Sequence, residues 1–156
     1  MKSINDLLKK HFTENNFLTV IGGATRFQSV KNALNTIKND NGTVAIHDAA
    51  RPFVSKETIA RCFETAKKLN NAIPVVDVTE SLRQVNNQTN KSVDRTTFKI
   101  VQTPQCFNIK IIQKAFNLPE SPLFTDDASV LEALGYEINL VKGNYENIKI
   151  TTPRDL

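Results

Sequence analysis

His47, Asp48 and Arg51 stand close together in the stretch Thr43 to Phe53, TVAIHDAARPF. An acid followed three residues later by a guanidinium suits a metal-bridged phosphate, the carboxylate taking the cation and the arginine the anion. A plainer role fits the same pair, with Asp48 capping the turn and Arg51 pairing with it at the surface. Residue types alone leave the two readings level. Thr43 to Ile46 reads as a short buried strand entered from an Asn41-Gly42 turn, so the polar residues sit at the carboxyl end of a strand. Open α/β sheets bind their ligands there.

The chain around this stretch has 156 residues, 40% of them hydrophobic and 23% charged. That is one domain's worth, read as a single partial domain over 1–156 with a polar arm at about 78–100. No apolar run reaches the roughly 20 residues a membrane helix needs, and MKSINDLLKK lacks the apolar core of a secretory signal. A cytoplasmic protein is expected. Cys62 and Cys106 show no CxxC or Cys/His clustering, which argues against zinc or a disulfide framework and leaves buried, idle thiols. The net charge of +4 comes from scattered lysines and arginines, so an anionic small molecule fits better than nucleic acid.

Residues 3–14 read as an amphipathic helix with Ser3 and Asp6 as a capping box, and Phe17 to Ile21 as a buried strand ended by Gly22-Gly23. Val30, Ala33, Leu34 and Ile37 stripe the next helix. Ser55 should cap another with Ile59, Cys62, Phe63, Ala66 and Leu69 inward, followed by a strand at Ala72 to Val76. LRQV and KSV around the tract Asn86 to Asn90 read as a hairpin arm too polar for a core. Phe98 to Gln102 is a further strand stopped by Thr103-Pro104; Asn108 caps a helix, and Thr125 another that runs to Gly135. Tyr136 to Val141 and Ile148 to Thr151 complete the strands. Alternation of helices and strands predicts a three-layer α/β domain on a mostly parallel sheet.

Six strings carry a more specific signal: Gly22-Gly23-x-x-Arg26-x-x-Ser29, His47 to Pro52, Val93-Asp94-Arg95, Gln102-Thr103-Pro104-Gln105, Thr125 to Ser129, and Glu146 to Thr151. In this order and spacing they closely resemble the 2-C-methyl-D-erythritol 4-phosphate cytidylyltransferase family, from about Phe17 to Leu156. The resemblance implies a Rossmann-like nucleotidyltransferase sheet, and a reaction in which CTP and methylerythritol phosphate give the cytidine-diphospho product and pyrophosphate with magnesium. It assigns Gly22, Gly23, Ser29, Asp48 and Ala49 to the nucleotide, with Asp48 also on the metal. Arg51, Ser81, Thr103 and Thr125 go to the polyol phosphate, and Arg95 and Lys149 position its phosphate for attack. A phosphate nucleophile is already ionised, so His47 reads as structural rather than as a base.

The family also implies a homodimer in which the arm crosses the two-fold axis, placing Arg51 or Ser81 of one subunit in its partner's site. One departure is large: the family's opening PAAGxGxR loop and proline-lysine pair have no counterpart among the five glycines, and Thr152-Pro153 has the chemistry of a helix start. This predicts a chain lacking the N-terminal phosphate loop and the C-terminal helix, and by itself a weak catalyst. A smaller departure is Glu80-Ser81, where the family has Asp before a hydroxyl residue. The rival readings are a ribitol-5-phosphate cytidylyltransferase, which Val93-Asp94-Arg95 disfavours, and a non-catalytic cytidine-binding or dimerisation module.

Overall fold

A computed structural model describes residues 4–12 and 17–156. Its backbone gathers into two compact units, Met1–Lys38 and Asn39–Leu156. In the first, α1 spans Ile4–His11 and α2 spans Arg26–Leu34. Ser3 and residues 13–14, called as parts of the first helix, lie outside the described residues. Phe12 meets the Phe17 ring edge-on at 6.5 Å between centroids. Thr25 starts α2 by accepting the Gln28 N–H at 3.2 Å. Phe27 and Leu34 are the buried positions of that helix, whereas Ala33, expected inward, is exposed.

Phe17 to Ile21 is not a strand. No ladder partner reaches it among the described residues, and Leu18 and Ile21 are 71% and 90% exposed, so its apolar run has extended character without the neighbour a strand requires.

The second unit is built on a sheet. β1 (Thr43–Ile46), β2 (Asn71–Asp77) and β7 (Leu140–Lys142) run one way, while β5 (Lys99–Val101) and β6 (Gln105–Asn108) run against them. Only β2–β7 is a parallel ladder among the described strands, which corrects the expectation of a mostly parallel sheet. The cause is the connection after β2. Parallel neighbours need a crossover, normally a helix, but residues 78–98 hold the hairpin arm, β3 (Leu82–Asn86) paired with β4 (Thr89–Val93), and the chain returns antiparallel.

β5 and β6 form one interrupted strand. Three steps along β2, Ala72 to Val75, face five on the partner, Cys106 to Val101. The surplus is a bulge at Gln102-Thr103-Pro104, with the Thr103-Pro104 peptide cis. Pro104 interrupts the strand without ending it, so β6 was missing from the sequence reading.

Successive strand residues point to opposite faces, and β6 shows what covers each. Cys106 meets Cys62 of α3 (Lys56–Leu69) in a cluster with Ala66 and Ala72. Gln105, on the other face, bonds to the start of α5 (Asp127–Glu132). Phe107 shares that face and is fully buried, as are Ile112 and Phe116, in and just after α4 (Ile109–Ala115), and Leu131 of α5. The result is helix, sheet, helix. Both cysteines are buried and free. Their sulfhydryl contact, with burial, pushes the Cys106 thiol up.

Ser55 caps α3, its hydroxyl accepting the Thr58 N–H at 3.1 Å. Ser55→Ala should cost about 1 kcal/mol and lower the melting temperature by roughly 2–4 °C in calorimetry; no shift would show that the cap is redundant. The cap of α5 falls one residue later than expected, because the Asp126 carboxylate accepts the Ser129 N–H at 2.9 Å in a capping box. That helix ends at Glu132, and Gly135 closes the following turn at φ +83°. No helix among the described residues is long and apolar enough to cross a membrane.

Candidate active site

β1 delivers His47 to Arg51 into a tight turn closed by the Arg51 N–H donating to the Asp48 carbonyl at 3.0 Å. The turn returns the Arg51 guanidinium to its own acid, with Nε 3.4 Å from Asp48 Oδ2. A second cation arrives from a hundred residues away in the chain: Lys149 Nζ lies 3.2 Å from the same oxygen. One carboxylate therefore gathers two cations.

Lys149 reaches this point on a strap, not on the strand expected at Ile148 to Thr151. The alternation of isoleucine and polar residues there has strand character, but the segment finds no ladder; Ile150 donates a single backbone bond to the Ala50 carbonyl at 2.8 Å. Side-chain amides hold the strap instead. Asn144 Oδ1 accepts the Ser55 N–H at 3.2 Å, and its Nδ2 donates to the Phe53 carbonyl at 3.1 Å. Gln102 donates to the Asn144 carbonyl at 2.9 Å, Asn147 donates to the Thr103 carbonyl at 2.8 Å, and Arg51 Nη1 donates to the Asn147 carbonyl at 2.8 Å. Gln102 and Asn147 are both buried.

Gly143 permits the close approach of strap and bulge. A Cβ there would sit 2.3 Å from Gln102 Oε1 and 3.2 Å from the Val75 carbonyl. Gln102 and Asn147 stood in the family strings without a role, and Asn144 stood outside them. Their signal was the density of amides beside apolar strands, where a buried amide must find partners.

Arg51, Lys149, Val76, Ile100 and Tyr145 help line a cavity of about 370 Å³, whose two cations are matched by the acids Asp77 and Glu80. The buried Thr103 bonds to the turn, its hydroxyl accepting the Asp48 N–H at 3.0 Å. Thr79, also lining the cavity, donates its hydroxyl to Glu80, and this bond, with Glu80's own backbone N–H, holds the Glu80 carboxyl below the usual carboxylate range. Arg95 reaches the rim by donating to the Thr79 carbonyl, and Ser81 is exposed at the base of the arm.

Thr125 lines a different cavity with Ile73 and Val101, on the sheet face that carries α5. Ala49 is exposed on the turn. In the first unit, Ser29 Oγ accepts the Gly23 N–H at 3.0 Å and donates to the Thr25 carbonyl at 2.9 Å, tying the glycine turn to α2. A Cβ at Gly23 would lie 2.3 Å from Gln28 Cβ, so only glycine fits.

Among the described residues no three His, Cys, Asp or Glu side chains gather as a metal cluster. Asp48 alone still suits magnesium. That ion commonly takes one or two protein carboxylates and completes its shell with phosphate oxygens and water.

The sequence model described as 2-C-methyl-D-erythritol 4-phosphate cytidylyltransferase matches residues 1–156. The enzyme of that name from Bacteroides thetaiotaomicron is 47% identical over 150 residues, covering 96% of this chain and 68% of its own length. A crystal structure of the Thermus thermophilus enzyme of that name superposes with a TM-score of 0.76 at 37% identity, over 86% of this chain and 66% of that one. A 4-diphosphocytidyl-2C-methyl-D-erythritol synthase from Anaerococcus prevotii gives 0.86 at 28% identity, over 97% and 69%. The chain thus spans about two thirds of these relatives' length. Agreement of sequence and fold along that whole span has one reading: the chain belongs to the 2-C-methyl-D-erythritol 4-phosphate cytidylyltransferase family.

Proposed function

We propose that this chain carries the acceptor-phosphate side of a cytidylyltransferase site, which joins CTP to 2-C-methyl-D-erythritol 4-phosphate with release of pyrophosphate. The observation that carries the reading is the meeting of Lys149, Arg51 and Asp48, two cations on one acid beside an open cavity. In-line attack of the acceptor phosphate on the α-phosphorus of CTP asks for placement and charge neutralisation rather than for a base.

Lys149 and Arg51 draw the phosphates together, and Asn147 fixes the direction of the guanidinium. Asp48 holds both cations and would be the ligand for magnesium. When bound, that ion neutralises charge building on the phosphates. Gly22, Gly23, Ser29 and Ala49 are assigned to the nucleotide. Thr103, Ser81, Arg95 and Thr125 are assigned to the polyol phosphate, with Arg95 orienting the attacking phosphate alongside Lys149. The almost wholly exposed arm, with Val85 70% accessible, supports a homodimer through β3 and β4 and a Ser81 that serves the partner's site. We assign the protein to the cytoplasm.

Pyrophosphate release from CTP and magnesium, with methylerythritol phosphate and ribitol 5-phosphate compared in parallel, tests the reading as a ratio. Methylerythritol phosphate is expected to be the better acceptor. Preference for ribitol phosphate would transfer the chain to that activity, and cytidine binding without pyrophosphate from either would leave a binding module.

A further inference from the structure

His47 lies outside the charge cluster, yet its ring bonds two groups around it, the Arg51 backbone and the Thr103 hydroxyl that holds Asp48. Nε2 lies 3.0 Å from the Arg51 carbonyl, and Nδ1 lies 2.9 Å from the Thr103 hydroxyl. The same hydroxyl accepts the Asp48 N–H at 3.0 Å. A carbonyl oxygen can only accept, so Nε2 carries a proton and donates. In the neutral ring Nδ1 then accepts, and the Thr103 hydroxyl donates to it. The bonds run in one direction: Asp48 N–H to Thr103 Oγ1, Thr103 O–H to His47 Nδ1, His47 Nε2–H to the Arg51 carbonyl.

We propose that His47 is a positioning residue for the acceptor-phosphate site, acting through the Thr103 hydroxyl to fix the turn that aims the Asp48 carboxylate and the Arg51 guanidinium. The proposal rests on the cytidylyltransferase reading for its effect on turnover, but not for its geometry. The turn has one backbone bond of its own, and both functional side chains leave it within four residues. Thr103 is 5% exposed, anchored in the sheet bulge, so it is a fixed post for the turn. A misplacement on the order of 1 Å in such a site costs up to about a hundredfold in rate.

Two sets of measurements test this. Nitrogen–proton correlation spectra of the unmodified chain are expected to show His47 as the Nε2–H tautomer; an Nδ1–H tautomer overturns the proposal whether or not the chain turns over substrate. In kinetics, His47→Ala is expected to lower kcat about tenfold with little change in the KM for CTP. His47→Asn, which keeps an acceptor near the Nδ1 position, is expected to recover most of that loss, and His47→Gln is not. On a Thr103→Val background the further loss from His47→Ala should be under about twofold, because the link is already cut. A full tenfold loss on that background, or an Asn variant as poor as alanine at equal melting temperature, overturns the proposal. Absence of pyrophosphate from the parent chain would instead count against the cytidylyltransferase reading and leave the tautomer to decide this one.

Discussion

Replacing Asp48 with asparagine is expected to lower kcat for pyrophosphate release by about 10²–10³-fold, the loss typical when one preorganised electrostatic group is removed from a transition state. The shape of the side chain is kept and its charge is not. Lys149 at 3.2 Å and Arg51 at 3.4 Å both rest on Asp48 Oδ2, so neutralising that oxygen frees two cations and removes the proposed metal ligand together. The two consequences act in opposite directions on different constants. Freed cations attract anionic substrates more strongly, so KM for the acceptor phosphate should stay level or fall, while kcat falls for want of charge placement at the reacting phosphates. The Lys149 pair should matter little to stability, because that side chain is 47% exposed and a pair so accessible is worth at most about 1 kcal/mol. The Arg51 pair is largely buried, at 13% and 17% exposed, so its loss should add a cost on the order of 1–3 kcal/mol. Steady-state kinetics with both substrates varied, beside thermal melts, separates these effects. A rise in KM at unchanged kcat, or an activity loss matched by a loss of folded protein, would remove Asp48 from the reacting centre.

The same site shows which parts of the chain speak through their sequence. β1 and the turn after it were legible because a β-branched run followed by an acid and an arginine obeys local rules, and the structure places the strand and turn as read, although the strand is half-buried rather than buried. Ser55 and the arm were legible for the same reason, one by its capping chemistry and the other by alternation around an asparagine tract. Illegible were the segments whose conformation is set by something distant. Phe17 to Ile21 has the composition of a strand but no neighbour to pair with among the described residues, and Ile148 to Thr151 has the alternation of a strand but follows a strap tied at Asn144 and Asn147 by the Gln102 amide, the Arg51 guanidinium and the strap's own Asn147 amide. β6 was hidden behind Pro104, because a proline normally ends a strand and here the two-residue bulge absorbs it. The Thr103 hydroxyl and Asn147 amide could be recognised as family positions. Their bonds to Asp48 and to the bulge depend on side chains that meet across 44 to 55 positions of sequence.

Gln105→Ala carries the largest expected effect on stability. Gln105 is 1% exposed on the sheet face opposite α3, and both ends of its amide are used: Nε2 donates to Asp126 Oδ2 at 2.8 Å, and Oε1 accepts the Ala128 N–H at 3.0 Å. It is thus a second cap for α5, supplied by the sheet. Truncation leaves the buried Ala128 N–H without its acceptor and one oxygen of the part-buried Asp126 carboxylate without its donor, and opens a cavity where the buried side chain stood. The cost should be about 3 kcal/mol, a fall in melting temperature of roughly 6–12 °C for a chain of this size. Gln105→Glu separates the two bonds, since it keeps the acceptor for Ala128 while setting a carboxylate against Asp126; it should be at least as damaging near neutral pH and should recover in part as the pH falls and the introduced carboxyl takes up a proton. The sign follows from the variant's folded state binding that proton more readily than its unfolded state, so stability lost above the carboxylate range returns below it. Thermal melts of the parent and both variants at pH 7 and at pH 4.5 to 5 decide the matter. An alanine variant within about 1 kcal/mol of the parent would show that α5 is held by its apolar face alone, and that the glutamine owes its place to something other than the helix it touches.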